Sequence, residues 1–299
     1  MHLNMINLLT RLLLLFVVLF TGCARPIAEF GFQGSNIAPA EVTFENKSVK
    51  ASRYVWDFGD GTVSEEASPL HSYASSGNYT ITLSAFKGKT KDTSQQRLQV
   101  LAPADCLVKI ETDYGTMIAV LYNGTPAHRD NFIKLVEEGF YDGLLFHRVI
   151  NQFMIQGGDP LSRKAKAGQS IGSGGPGYTI PAEITDTLVH VKGAIAAART
   201  GNDVNPGRAS SGSQFYIVHG RTWTDDQLDQ NEAQKGFRYS RENRELYKTI
   251  GGAAQLDREY TVFGRVITGL DVIDKIAAAQ TSPNDRPAED IKMKISIIK

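Results

Sequence analysis

Residues 146 to 159, Phe146-His147-Arg148-Val149-Ile150-Asn151-Gln152-Phe153-Met154-Ile155-Gln156-Gly157-Gly158-Asp159, constrain this chain more than any other stretch. They read as two short strands, Leu144 to Ile150 and Phe153 to Gln156, turned at Asn151-Gln152. Alternation at period two places Phe146, Arg148 and Ile150 on one face of the first strand. In the second strand Met154 and Gln156 share a face. A permanently charged guanidinium among apolar neighbours must be hydrogen-bonded where it loses water. Gln156 offers a carbonyl for that purpose. Taken alone, an arginine lying over apolar surface is more often structural than catalytic.

The N-terminus bears on where the chain works. Leu8 to Phe20 is almost wholly apolar, interrupted by Thr10 and Arg11, and falls short of the roughly 20 residues a spanning helix needs. It ends in Phe20-Thr21-Gly22-Cys23. Small residues before a cysteine, after an apolar run, resemble the lipobox of a bacterial lipoprotein, with Phe20 where Leu is usual; the alternative is an ordinary secretory signal. The expectation is therefore a signal peptide over 1–22, lipid on Cys23, a tether over 23–28, and a location on the bacterial envelope, at the outer membrane or facing the periplasm. The only other cysteine is Cys106, so lipid on Cys23 leaves no intrachain disulfide. Beside Leu107 and Val108, Cys106 reads as a small hydrophobe. Thirty-two basic and 32 acidic residues cancel, which argues against nucleic acid as a partner.

Residues 29–101 carry short apolar runs, Val42-Phe44, Tyr54-Phe58, Tyr79-Phe86 and Leu98-Leu101, with turn residues such as Asp60-Gly61 and Ser75-Ser76-Gly77-Asn78 between them. That spacing predicts an antiparallel sandwich. Trp56-Asp57-Phe58-Gly59-Asp60-Gly61, followed by His71-Ser72-Tyr73 and Gly77-Asn78-Tyr79-Thr80, resembles a PKD domain, an immunoglobulin-like module. Asp57 and Asp60 read as turn and strand-end residues rather than metal ligands. The resemblance implies a spacer, or a protein or glycan contact.

After a linker over 102–106, residues 107–299 form the second domain. Leu107 to Glu111 and Thr116 to Tyr122 predict a hairpin, and Thr125-Pro126 predicts a helix start that Gly139 ends, with Phe132, Leu135 and Val136 on the packed face. Gly172-x-Gly174-x-x-Gly177 matches a dinucleotide fingerprint and Gly168-Gln169-Ser170-Ile171-Gly172 a nucleophile elbow, but neither opens a helix, so both are discounted. Strands are expected at Gly193-Arg199 and Gly212-Val218, and a last helix over Asp271-Ala279. Thr224-x-x-Gln227 is a capping box, and Ser240 to Gly251 reads as a second helix. The six histidines show no paired metal spacing, so neither metal nor cofactor is expected.

The run 146–159, with Gly193-Arg199, Gly212-Val218 and Leu256-Val266, resembles the cyclophilin-type peptidyl-prolyl isomerases over nearly all of the second domain. Mainly β structure follows: the sandwich, then a closed β-barrel with flanking helices. The resemblance implies that Arg148 is catalytic and that Phe153, Met154, Gln156, Ala198, Arg199, Gln214, Tyr216, Leu256 and Tyr260 bind the substrate, Ala198 and Arg199 through their backbone. Departures are visible. Tyr216 stands where Phe is common, adding a hydroxyl that needs a partner. Tyr260 stands where His is frequent, and residues 224–254 are an insertion. Relatives that bind cyclosporin tightly generally carry Trp just before the Leu-Asp pair, where this chain has Gln255.

The chemistry implied needs no nucleophile. Amide resonance opposes rotation about a peptide bond with a barrier of about 18–20 kcal/mol. In the twisted state the proline nitrogen regains a lone pair, and a fixed charged donor aimed at it lowers the barrier. The expected partners are proline-containing polypeptide clients and, through lipid, the membrane. The competing reading is a chaperone or scaffold that binds proline loops with little turnover; glycan attachment through the PKD domain is a third.

Overall fold

The computed structural model describes residues 25–73, 76–101, 105–166 and 169–298, so the apolar run at 8–20 and Cys23 lie outside the described residues. The chain divides into two compact units between residues 102 and 103.

The first unit contains β1 (Phe30–Gly34), β2 (Ala40–Asn46), β3 (Arg53–Asp57), β4 (Val63–Ser64), β5 (Leu70–Tyr73), β6 (Gly77–Lys87) and β7 (Thr90–Val100). They form two antiparallel sheets, β1-β2-β5 and β4-β3-β6-β7. In β2 the side chains of Ala40, Val42 and Phe44 are buried while Glu41, Thr43 and Glu45 are exposed, the period-two signature of a half-buried strand. The core is aromatic, with Trp56 5.4 Å from Phe44 and 5.2 Å from Phe30 between ring centroids. Trp56 Nε1 donates to the Glu66 carbonyl at 2.9 Å, satisfying its one polar atom. Asp57 accepts from Gly59 N–H, and Asp60 accepts from Thr62 N–H while meeting His71 Nε2 at 2.8 Å, so both serve the turn. Strand β7 begins well before the expected Leu98-Leu101: it pairs with β6 over 11 residues, but only Leu98 and Val100 are buried along it, so the apolar pattern marked only its end.

The second unit begins with the hairpin β8 (Cys106–Thr112) and β9 (Gly115–Leu121), then α1 (Pro126–Glu137), β10 (Arg148–Ile150), β11 (Met154–Gly157), β12 (Thr179–Ile180), β13 (Ala194–Ala197), β14 (Ser210–Ser211) and β15 (Phe215–Val218). The inserted helices α2 (Asp225–Lys235) and α3 (Arg241–Thr249) follow, then β16 (Val262–Thr268), α4 (Leu270–Ala277) and β17 (Met293–Ile298). Eight strands pair antiparallel in the order β10-β11-β15-β13-β16-β9-β8-β17. This corrects the expected closed barrel: the sheet is curled, and its end strands do not pair as a ladder. Irregular backbone spans the gap, with Gly143 N–H and Phe146 N–H donating to Met293 and Ile291 carbonyls and Met293 N–H to Leu144.

The central strands are buried on both faces. In β13 and β15, Ile195, Ala197, Phe215 and Ile217 join the interior core, while Ala194, Ala196, Tyr216 and Val218 join a second cluster on the opposite face. Such strands read as continuous apolar runs. Helices α1 and α4 pack Phe132, Leu135, Val136, Val272, Ile273 and Ile276 against the interior side.

Two local expectations change. The first signature strand starts at Arg148 rather than Leu144, so Phe146 and Val149 share the interior core and Ile150 packs on the other cluster. The alternation over Phe146, Arg148 and Ile150 therefore fails at its first member. Thr125 precedes α1 but does not cap it with its side chain. Glu183 does so from 55 residues away, accepting from Ala127 N–H and His128 N–H at 3.0 Å each. The Thr224 capping box is present as expected.

Candidate active site

Arg148, Gln156 and Tyr216 stand in one row across the sheet, Arg148 opposite Gln156 on β11 and Gln156 opposite Tyr216 on β15. Around this row lies a cavity of about 160 Å³, lined by Arg148, Phe153, Met154, Gln156, Ala198, Arg199, Tyr216, Leu256 and Tyr260. The strands bring Phe153 and Met154 into it from the β10–β11 turn. Leu256 arrives from a short 3₁₀ turn (Ala254–Leu256) that ends the insertion.

Arg148 is not held by Gln156. Its Nε pairs with Asp285 Oδ2 at 3.2 Å, and the Asp285 carbonyl accepts from Val149 N–H at 2.8 Å, docking the loop onto β10. The Arg148 and Asp285 side chains are 44% and 40% exposed. Gln156 Nε2 instead donates to Gln214 Oε1 at 3.1 Å. Gln214 does not line the cavity. Its amide nitrogen reaches back to the Gly172 and Gly174 carbonyls at 2.9 and 2.7 Å, so it ties the glycine-rich loop to Gln156. The loop can approach because Gly158 has φ +90° and a Cβ there would sit 2.2 Å from the Ser213 carbonyl oxygen.

The backbone of Ala198 is likewise committed: its N–H donates to Gln214 and its carbonyl accepts from Ser211. It lines the cavity with both backbone groups already hydrogen-bonded, and only the second lone pair of its carbonyl is left over. Arg199 is almost fully buried in its side chain, with Nε on the Glu259 carbonyl at 2.9 Å and its guanidinium 4.6 Å over the Tyr260 ring. Tyr260 meets Tyr216 edge-on at 5.8 Å. The Tyr216 hydroxyl has a partner, His190 Nε2 at 3.0 Å. Burial holds the Tyr216 phenol well above its ordinary pKa, so it stays protonated. His147, beside Arg148 in sequence, is buried and pushed down to about 4, chiefly by desolvation. It is neutral at neutral pH.

Gln255 is exposed on the 3₁₀ turn, and the Trp223 indole N–H is spent on the Gly252 carbonyl at 3.0 Å. Among the described residues no group of three His, Cys, Asp or Glu side chains is placed to hold a metal. Asp285 and His190 went unnoticed in the sequence because their partners lie 137 and 26 residues away. No periodic or motif signal links them.

Residues 107–296 match the sequence model of the family described as cyclophilin type peptidyl-prolyl cis-trans isomerase/CLD, and residues 23–101 that of the PKD domain. A Streptococcus pyogenes protein named as a bifunctional phosphatase/peptidyl-prolyl cis-trans isomerase is 37% identical over 187 residues, 62% of this chain and 37% of that one. A Staphylococcus aureus protein named as a peptidyl-prolyl cis-trans isomerase is 35% identical over 185 residues, 62% of this chain and 87% of that one. A solved Cryptosporidium parvum cyclophilin type peptidyl-prolyl cis-trans isomerase aligns at 24% identity and a TM-score of 0.48, over 65% of this chain and 98% of that chain. The chain belongs to the cyclophilin-type peptidyl-prolyl cis-trans isomerase family and carries a PKD domain ahead of its isomerase domain.

Proposed function

We propose that this protein turns X-Pro bonds of exported or envelope polypeptides, held at the membrane by lipid on Cys23, with Arg148 as the catalytic donor. The observation that carries the reading is an arginine whose Nε is tied to Asp285 while its Nη groups have no partner among the described residues, at the edge of a cavity that Phe153, Met154, Tyr216 and Leu256 wall with apolar groups. X-Pro isomers differ by about 0.5–1 kcal/mol, yet interconvert in tens to hundreds of seconds. The groove therefore has only to lower a barrier. A cavity of about 160 Å³ is well under the roughly 300–1,000 Å³ that houses drug-sized ligands, and suits one small ring walled by Phe153, Met154, Tyr216 and Leu256. As the C–N bond twists, the nitrogen lone pair localises and accepts from the guanidinium, an interaction absent in the planar ground state. The amide oxygen of Gln156, and the backbone of Arg199, which has no partner among the described residues, are available to hold the peptide on either side.

Exchange spectroscopy on a short Ala-Pro peptide tests this: the protein should accelerate interconversion well above the uncatalysed rate. Tight peptide binding without acceleration would favour the scaffold reading instead. Envelope residence rests on the apolar run ending in Gly22-Cys23. Cys23→Ser should move the protein from the membrane pellet to the soluble fraction; continued sedimentation through washing would place the tether elsewhere. The PKD domain is read as a spacer or as a protein or glycan contact.

A further inference from the structure

Residues 224–254 build a helical insertion with its own apolar cluster, in which Leu228, Phe237, Tyr239 and Tyr247 pack with Val189 and Val191. An added surface hairpin would ordinarily leave its polar groups in water. Here they converge on one buried carboxylate, Asp257. Tyr239 and Tyr247 each donate a hydroxyl to Asp257 Oδ2 at 2.6 Å. Asn231 Nδ2 backs this up by donating to the Tyr239 hydroxyl at 2.6 Å and to the Ala254 carbonyl at 2.9 Å. The other oxygen, Oδ1, accepts from His190 N–H at 2.8 Å and meets His190 Nδ1 at 2.8 Å. Four donors saturate the carboxylate.

A carboxylate only accepts, so His190 Nδ1 carries a hydrogen toward Asp257, and on the other side of the ring Nε2 meets the Tyr216 hydroxyl at 3.0 Å. All five side chains, Asp257, His190, Tyr216, Tyr239 and Tyr247, are buried. A second strut runs alongside: Lys235, at the end of α2, donates to the Asp257 carbonyl at 2.8 Å and pairs with Glu259, which pairs with Arg199 over Tyr260.

We infer that the insertion is a positioning element of the groove: Tyr239 and Tyr247, through Asp257 and His190, fix the rotation and depth of the Tyr216 ring and so set how tightly a proline ring is held. The inference rests on the groove being the X-Pro site. Where a phenylalanine at this wall is placed by packing alone, this tyrosine is placed by a hydrogen-bonded line that starts in the insertion. The wall touches the proline ring alike in the planar and twisted states, so its displacement weakens uniform binding and raises KM with little change in kcat. A merely structural insertion would lower the folded fraction instead, reducing apparent kcat at constant KM.

The test uses the full chain and a short X-Pro peptide. Tyr239→Phe/Tyr247→Phe keeps the aromatic packing and removes both hydroxyls. KM and the peptide Kd should rise about tenfold, with kcat within about twofold, the scale of one interrupted hydrogen-bonded contact. In a Tyr216→Phe background the line already ends, so the same pair should change Kd less than about twofold. Should the double variant unfold, Tyr239→Phe alone carries the same comparison at a temperature where circular dichroism shows it folded. Unchanged KM and Kd in the folded variant, or effects that simply add in the Tyr216→Phe background, would overturn the inference. Absence of turnover in the unmodified protein would sink the isomerase reading while leaving the Kd comparison to decide this one.

Discussion

Arg148 and Tyr216 stand two strands apart in the same row of the sheet, yet they are held in opposite ways. Arg148 rests on one carboxylate, Asp285, with both side chains about two-fifths exposed. Tyr216 rests on a closed line of buried donors and acceptors running from His190 through Asp257 to Tyr239 and Tyr247. Under the proposed function the difference follows from what each side does. A guanidinium that must reach a ligand cannot be walled in, and in water its ion pair contributes little to stability while still orienting Nε. A pocket wall has no such need, so its polar atom can be buried, provided every partner is satisfied. The groove thus has a wet side at Arg148 and a dry side at Tyr216.

The largest expected effect breaks the dry side. Asp257→Ala strands the donors of His190, Tyr239 and Tyr247 in the interior and should destabilise the second unit by about 3–5 kcal/mol in denaturant unfolding. Asp285→Ala, on the wet side, should change stability by less than about 1 kcal/mol, and its effect on turnover should shrink as salt is raised. Equal stability losses would mean the two sides are not built differently. Next, Arg148→Ala should cut X-Pro turnover by about 10²–10³-fold at unchanged circular dichroism, since a preorganised charge donor to the transition state is lost. Arg148→Lys should recover little, because an ammonium cannot keep one donor on Asp285 and aim a fork of others. Near-normal turnover in Arg148→Ala would sink the mechanism.

A third prediction concerns the rim of the dry side. With an exposed Gln at 255 and the Trp223 N–H occupied by Gly252, no indole is offered to a cyclic inhibitor such as cyclosporin. Inhibition should be weak, and Gln255→Trp should tighten it by about two orders of magnitude, the scale of a large aromatic hot spot. Nanomolar inhibition of the unmodified protein would show that Gln255 is not that contact.

The smallest effect is that of pH. The His147 pKa is depressed in the folded protein to about 4 from an ordinary 6.5, so the unfolded chain binds more protons between those values. Its contribution to stability is fully present above about pH 6.5 and declines as pH falls toward 4. The loss between pH 7 and pH 5.5 should be about 1 kcal/mol and should diminish in His147→Asn. The isomerisation rate, which invokes no group titrating near neutrality, should be nearly flat from about pH 6 to 8.

How much could be read in advance varied with the range of the interaction. Local patterns sufficed for the Thr224 capping box and the inward face of α1, because period and capping act within a turn or two, whereas the first signature strand proved shorter than its apolar run. They misjudged β7, whose burial signal is confined to its last residues, and the cap of α1, which arrives from Glu183. The residues expected to bind the substrate line one cavity, apart from Gln214: strand register aligns Arg148, Gln156 and Tyr216, and turns and loops bring in the rest. The partners of the Ala198 backbone and the Gln214 amide were not legible, since they come from Ser211, Gly172 and Gly174, which no period or motif links to them.

The sequence by itself determined which residues could form strands and which side chains carry charge or apolar bulk into the groove, together with the family to which the isomerase domain belongs. Only the tertiary structure decided that Arg148 leans on Asp285 rather than Gln156, that the sheet curls without closing as a ladder, and that the insertion ends on Asp257. Those outcomes are pairings between residues from 10 to 150 positions apart. Hydrogen-bond geometry selects such partners among many chemically equivalent candidates only once the backbone has brought them within about 3 Å.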